Sequence, residues 1–272
     1  MSFKLRATNL QNVAPGNTAT LKLPTGKNAP TLDKIILELS GAGFLPSHIE
    51  SIRGNANGRI FFDESSGTII NKRDDYRGIF TAANFLTIDF TEINARNGAV
   101  EQLLSSVPLS MLQSLSFDIK LAAGAPATAR LDAQIVVRQP TSNPFILKKL
   151  NTTQAFSASG EQIVFLPTGG AGGKLKRIWI HEVTTPGTVT ELAIRVGNSI
   201  AYETNRAKLE HSQKQNGLVP QAGIVVVDFV EDGNLSGVLD TGNAAGVELR
   251  LTSSAANSYQ VWYEFIDPIG RL

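Results

Sequence analysis

The tetrapeptide Leu23-Pro24-Thr25-Gly26 recurs unchanged as Leu166-Pro167-Thr168-Gly169. The segments after each copy also run in parallel. Asn57-Gly58-Arg59-Ile60-Phe61-Phe62 is echoed by Asn198-Ser199-Ile200-Ala201-Tyr202, and Phe85 to Phe90 by Val225 to Phe229, both ending in Asp-Phe. The offset between paired segments shrinks slowly, as it would if the second copy had slightly shorter loops. Self-similarity of this kind outranks other cues, because it means that one supersecondary unit is used twice. Any fold for this chain must therefore divide into two like halves. At 272 residues, halves of about 135 fall in the usual domain range of about 100–200 and can each bury a core.

Within each half the hydrophobic period is two. Leu115, Phe117, Ile119 and Leu121 alternate with Ser116, Asp118 and Lys120; Leu131, Ala133, Ile135 and Val137 alternate with Asp132, Gln134 and Arg138. In the second half, Leu192, Ile194 and Val196 share a face, as do Val247, Leu249 and Leu251, and then Tyr259, Val261, Tyr263 and Phe265. Side chains of a strand point alternately to opposite faces, so each run is a half-buried strand. Gly, Pro, Asn and Ser clusters separate them, among them Pro15-Gly16-Asn17, Gly41-Ala42-Gly43, Thr185-Pro186-Gly187 and Gly242-Asn243.

The first half offers strands at Thr18–Leu23, Leu32–Ser40, His48–Gly54, Gly58–Asp63, Phe85–Phe90, around Val107, Ser114–Leu121 and Arg130–Arg138. About eight antiparallel strands in two packed sheets is the jelly-roll number. The expectation is an all-β chain: two tandem eight-stranded jelly rolls, with short helices in the loops. Helices are expected at Thr68–Arg77, ended by Gly78; at Arg206–Asn216, capped by Asn205 and ended by Gly217; and at Ala99–Ser106. The first two each follow a matched Asn strand, so the helix belongs to the repeat. Residues 1–140 read as the N-terminal roll, 141–150 as a connector holding Pro144, Lys148 and Lys149, and 151–272 as the C-terminal roll. Residues 1–17 are either an arm reaching a neighbour or a membrane, or a frayed end.

Composition narrows the chemistry. There is no cysteine, so disulfides, thiolate catalysis and Cys-based metal sites are excluded. The formal net charge of +1 gives no footprint for nucleic acid or an acidic membrane. Charged residues make up 18%, a low proportion expected of a surface largely covered by neighbours. The opening Met1-Ser2-Phe3-Lys4-Leu5-Arg6 has no apolar signal region, and no apolar stretch approaches 18 residues; synthesis and folding in a cytosol is the expectation.

No catalytic constellation emerges. His48, His181 and His211 are far apart, without the paired His and following Glu that a cupin-type enzyme needs. Gly169 to Lys174 suggests a phosphate loop but has Thr168 where the first Gly belongs and Leu175 where a Mg²⁺-binding hydroxyl belongs, and it leads into a strand. The pairs Asp63-Glu64, Asp74-Asp75 and Glu231-Asp232 read as solvated turn charges, or as part of a Ca²⁺ site completed by a neighbouring subunit. Lys174, Lys176 and Arg177 read as a solvated basic strand edge, or else as a contact for phosphate, lipid headgroups or an acidic neighbour. Trp179, Trp262 and Tyr263 read as core or interface; on the surface they would instead suit a carbohydrate-binding tandem jelly roll, the rival reading. Catalytic and cofactor-binding residues are expected to be none, with metal ligands unassigned.

The order Asn12-Val13-Ala14-Pro15-Gly16-Asn17, Leu21-Lys22-Leu23-Pro24, Gly26, then Pro46-Ser47, Ile49, Arg53 and Gly58-Arg59 resembles the start of the corticovirus major capsid protein. Asn57 departs from the acidic residue that precedes Gly-Arg in that family. The resemblance covers roughly the first quarter in sequence; beyond it, the strand pattern and duplication match. It implies a double jelly roll serving as major capsid protein, in trimers of pseudo-hexagonal outline that tile an icosahedral shell around an internal membrane enclosing the DNA. It also implies structural Ca²⁺ without assigning ligands, and as partners further copies of the chain, vertex (penton) proteins and small membrane-associated virion proteins. Three copies of a twice-repeated unit place six similar blocks around one axis, which is what the duplication would be for.

Overall fold

A computed structural model describes residues 2–7, 10–96, 104–141, 144–167, 173–242 and 244–272. Thr168 and Gly169 of the second Leu-Pro-Thr-Gly, the glycine run 169–172, Asn243 and residues 99–103 of the third expected helix lie outside these. The chain divides into two compact units. Met1–Asp75, Ile79–Lys149 and Pro268–Leu272 form the first; Tyr76–Gly78 and Leu150–Asp267 form the second.

In the first unit the order is β1 (Ser2–Ala7), β2 (Leu10–Gln11), β3 (Thr18–Leu23), β4 (Thr31–Ser40), β5 (Ile49–Ala56), β6 (Arg59–Glu64), α1 (Gly67–Tyr76), β7 (Phe85–Asp89), β8 (Val107–Pro108), β9 (Leu115–Leu121) and β10 (Arg130–Arg138). One sheet runs β1-β10-β4-β7, with β8 beside β4; the other contains β2-β3-β9-β5-β6. After β11 (Phe145–Phe156), the second unit has β12 (Gly160–Leu166), β13 (Lys174–Glu182), β14 (Val189–Val196), β15 (Ser199–Asn205), α2 (Arg206–Gln215), β16 (Ile224–Asp228), β17 (Leu239–Asp240), β18 (Val247–Ser253) and β19 (Asn257–Pro268). Its sheets run β12-β18-β14-β15 and β16-β13-β19, with β17 beside β13. Strand for strand, β3-β9-β5-β6 matches β12-β18-β14-β15, and β10-β4-β7 matches β19-β13-β16. Each unit is a jelly roll, and the chain is a double jelly roll.

The burial follows the period of two. Strands β9 and β18 occupy equivalent places and alternate buried and half-buried positions identically along all seven residues. Ile35, Leu37, Phe117 and Ile119 meet in the first core; Ile178, Ile180, Leu249 and Leu251 meet in the second. The β5–β6 hairpin turns through Asn57 (φ 51°) and Gly58 (φ 80°), the left-handed pair that a two-residue turn between twisted strands demands. The Asn57 side chain accepts hydrogen bonds from the Gln113 and Ser114 amides at 2.8 and 3.3 Å, tying the turn to the start of β9. Asn205 caps α2 by accepting from the Lys208 amide at 2.9 Å, and Gly217 beyond the helix has φ 80°.

Residues 2–7, left open by the sequence as an arm or a frayed end, pair with β10 in register as an edge strand. The predicted connector includes part of β11, of which Phe145–Lys149 belongs to the first unit.

The repeated Asp-Phe has a structural explanation. Asp89 stands directly across from Lys34 on β4, and Asp228 directly across from Arg177 on β13. The ion pairs measure 2.8 and 2.6 Å, and both aspartate side chains are buried. Each carboxylate also accepts from the backbone amide two residues on: Thr91 at 2.8 Å and Val230 at 3.0 Å. The second interaction turns the chain out of the strand while the first satisfies the remaining charge, so a single residue type ends the strand in both copies.

Gly54 on β5 makes room for the aromatic centre of the first roll. A Cβ there would sit 2.8 and 2.9 Å from the rings of Phe117 and Phe61. Overpacking such a site costs about 1–3 kcal/mol, so Gly54→Ala is expected to lower the urea midpoint correspondingly. At the end of β13, the buried Glu182 carboxylate receives the Gly187 and Val189 amides at 2.7 and 2.8 Å and Arg206 at 3.0 Å. Burial pushes its pKa up, but these donors outweigh burial and hold it below the usual glutamate range. A depressed folded pKa gives stability that is fully present above the unfolded value and lost as pH falls through the folded one. Glu182→Gln is therefore expected to destabilise the fold at neutral pH by about 3 kcal/mol and to flatten the acid limb of stability against pH, read from thermal melts.

Candidate functional site

The residue types that most often carry chemistry lie here in structural roles. Trp179 and Trp262 face each other across β13 and β19 and are buried, as is Tyr263. Tyr76 packs edge-on against Trp179, with ring centroids 5.2 Å apart. No indole is presented to solvent, so neither tryptophan supplies the sugar platform considered for it. His48 is half-buried and accepts the Leu45 amide through Nδ1 at 3.1 Å; His181 is half-buried near Trp262, and His211 is exposed on α2. These three histidines lie on separate elements.

The basic cluster is a correction to the sequence reading. Lys176 and Arg177 are buried on a central strand rather than solvated at an edge. Arg177 binds Asp228 at 2.6 Å and lies 3.7 Å from Glu264, which accepts the Trp179 indole N–H at 2.8 Å. A charge buried in this way must be paired, because desolvating it alone costs several kcal/mol.

Two of the carboxylate pairs also depart from the solvated reading. Glu64 is fully buried at the end of β6, bound by Arg73 of α1 and by Lys149 at 2.6 Å. Lys149 also lies over the Phe62 ring at 5.7 Å. Asp74 is buried, while Asp63 meets Arg53 at 3.2 Å on the outer face. Glu231 accepts the Ser212 hydroxyl; burial raises its pKa, with Asp228 and Asp232 adding to the rise. Among the described residues, no three His, Asp or Glu side chains gather closely enough to hold a metal ion.

The exposed apolar residues recur instead. Ile60 and Ile200 are each the second residue of the strand after the equivalent hairpin, and both are exposed. Phe80, 90% exposed, and the exposed Val219 each stand two residues past the glycine that ends the helix. On β12, Ile163 and Phe165 are exposed while Val164 and Leu166 are buried, and Phe165 is 72% exposed. An apolar run without alternation on a half-buried strand was the sequence signal for this strip. Such an arrangement performs no bond chemistry; it offers surface to be covered.

The family models agree with the two units. The N-terminal domain of viral coat protein P2 matches residues 4–138, and its C-terminal domain matches residues 146–269. By sequence alone, no curated protein matches the chain. Among solved structures, the major capsid protein P2 of bacteriophage PM2 is similar over 98% of both chains, with a TM-score of 0.88 at 18% identity. The STIV major capsid protein aligns with 99% of this chain and 97% of its own, at TM-score 0.74 and 13% identity. The PBCV-1 virus capsid aligns with 98% and 94%, at 0.66 and 11%. At such identities these likenesses speak for the fold; the two family matches, which together span nearly the whole chain, establish that it belongs to the viral coat protein P2 family.

Proposed function

We propose that this coat protein acts as the major subunit of an icosahedral shell, in homotrimers of pseudo-hexagonal outline. The observation that carries the reading is the duplication: two jelly rolls of the same strand order in one chain. A cyclic trimer of such a chain presents six similar blocks around its axis, and heterologous contacts between these tiles can extend and close. Coat proteins of this kind self-assemble into capsid shells. The protein works by covering surface and has no catalytic role, a reading supported by the burial and pairing of its candidate chemical groups.

In the same reading the shell encloses an internal membrane and DNA, with vertex proteins at the fivefold positions and small membrane-associated proteins beneath. Structural Ca²⁺ belongs at contacts between copies, with ligands drawn from more than one chain. Sequence-specific DNA binding has no part in it, consistent with the formal charge of +1.

Purified protein is expected to sediment at about three times the 29.2 kDa chain mass, and negative-stain images to show hexagonal outlines. A strictly monomeric species across salt and Ca²⁺ concentrations would refute the trimer.

A further inference from the structure

The two rolls differ at their edges. In the first unit, β1 closes one sheet as an edge strand, with Phe3 and Leu5 exposed. Between β1 and β3 lies an open cleft of about 430 Å³, lined by Leu5, Ala7, Leu23 and Ile135. The exposed side chains of Arg6 and Lys22 border it; Arg6 pairs with Asp132 at 2.5 Å, which leaves the border with one excess positive charge. An apolar cavity of about 150 Å³ already suffices to hold benzene, so the cleft has room for an aromatic ring.

In the second unit, β12 is an edge strand that presents Ile163 and Phe165 outward. In register, Phe165 lies beside Glu248 and Ile163 beside Arg250, while Glu161 lies one outward position beyond Ile163. Arg250 bridges Glu161 and Glu248 at 3.1 Å each, leaving the strip with one excess negative charge. An exposed apolar edge strand is a liability for a chain that stays single and is normally blunted by charge or covered. Phe165 is neither. The first unit's counterpart strand β3 has such a cover, because β2 pairs along it through Leu10 and Gln11.

We propose that the Ile163–Phe165 strip of one copy docks into the cleft between β1 and β3 of a second copy, with Glu161 and Glu248 facing Lys22 and Arg6. The apolar knob meets an apolar hole, and an acidic border meets a basic one. Knob and hole lie on different units, so the contact is heterologous: every chain gives one and receives one, which closes rings or extends a lattice. The contact rests on the self-assembly reading above but specifies which surfaces carry it.

The test uses the full-length protein and analytical ultracentrifugation over a concentration series. Phe165→Ser and Leu5→Ser are each expected to weaken self-association at least tenfold. Circular dichroism and the melting temperature should stay close to wild type, since both side chains are exposed. Lys22→Glu and Glu161→Lys are each expected to weaken association, and the two mutants mixed as separate proteins should associate more strongly than either alone. Wild-type oligomers unaffected by Phe165→Ser and Leu5→Ser would overturn the contact while leaving self-assembly intact. A wild-type chain that is monomeric throughout would overturn both. Loss of flotation with phosphatidylglycerol vesicles in Phe165→Ser, with the oligomer unchanged, would assign the strip to a lipid surface and also overturn it.

Discussion

An aspartate buried at the end of a strand, opposite a cation on its neighbour, is the interaction on which each roll depends. Asp89 and Lys34 make it in the first unit, Asp228 and Arg177 in the second. A buried carboxylate cannot be left alone without a large desolvation cost, so the strand order beside it is specified as well as stabilised. Its amide partner two residues on then sets the exit of the chain. A shifted register would strand the charge against an apolar neighbour and turn every side chain to the wrong face. The pair therefore selects one sheet arrangement among the many that alternating strands could form.

Much of this architecture was legible in the residues. Thr18–Leu23 and Arg130–Arg138 coincide with β3 and β10, because alternation and flanking turn residues fix a half-buried strand locally. The helix after Asn205 was equally readable, since its cap and its terminating glycine are adjacent in sequence. Burial of charge was not. Glu64 looks like a turn carboxylate until Lys149, 85 positions away, is placed beside it, and Arg177 looks exposed until Asp228 is found across the sheet. Pairing between distant strands decides these cases, and local pattern carries no record of it.

The edges were hidden for a related reason. Ser2–Ala7 alternates Phe3, Leu5 and Ala7 with Lys4 and Arg6 but is exposed along almost its whole length, so no buried face announces it, and only the ladder that β10 supplies makes it a strand. The Ile163–Phe165 strip leaves a trace in the sequence, an apolar run where polar residues should alternate, but its meaning depends on β12 lying at a sheet border. Aromatic burial was readable in kind: Trp179 and Trp262 lie on strands with strong apolar periodicity and are enclosed.

Leu10 and Gln11 of β2 add a short ladder to β3, and the equivalent strand β12 has none among the described residues. A faithful duplication would leave both halves the same border; here the first half closes its own with two residues of chain, while β12 ends its sheet with backbone N–H and C=O groups facing outward. An embellishment outside the repeat thus decides which half of the chain can still add a strand.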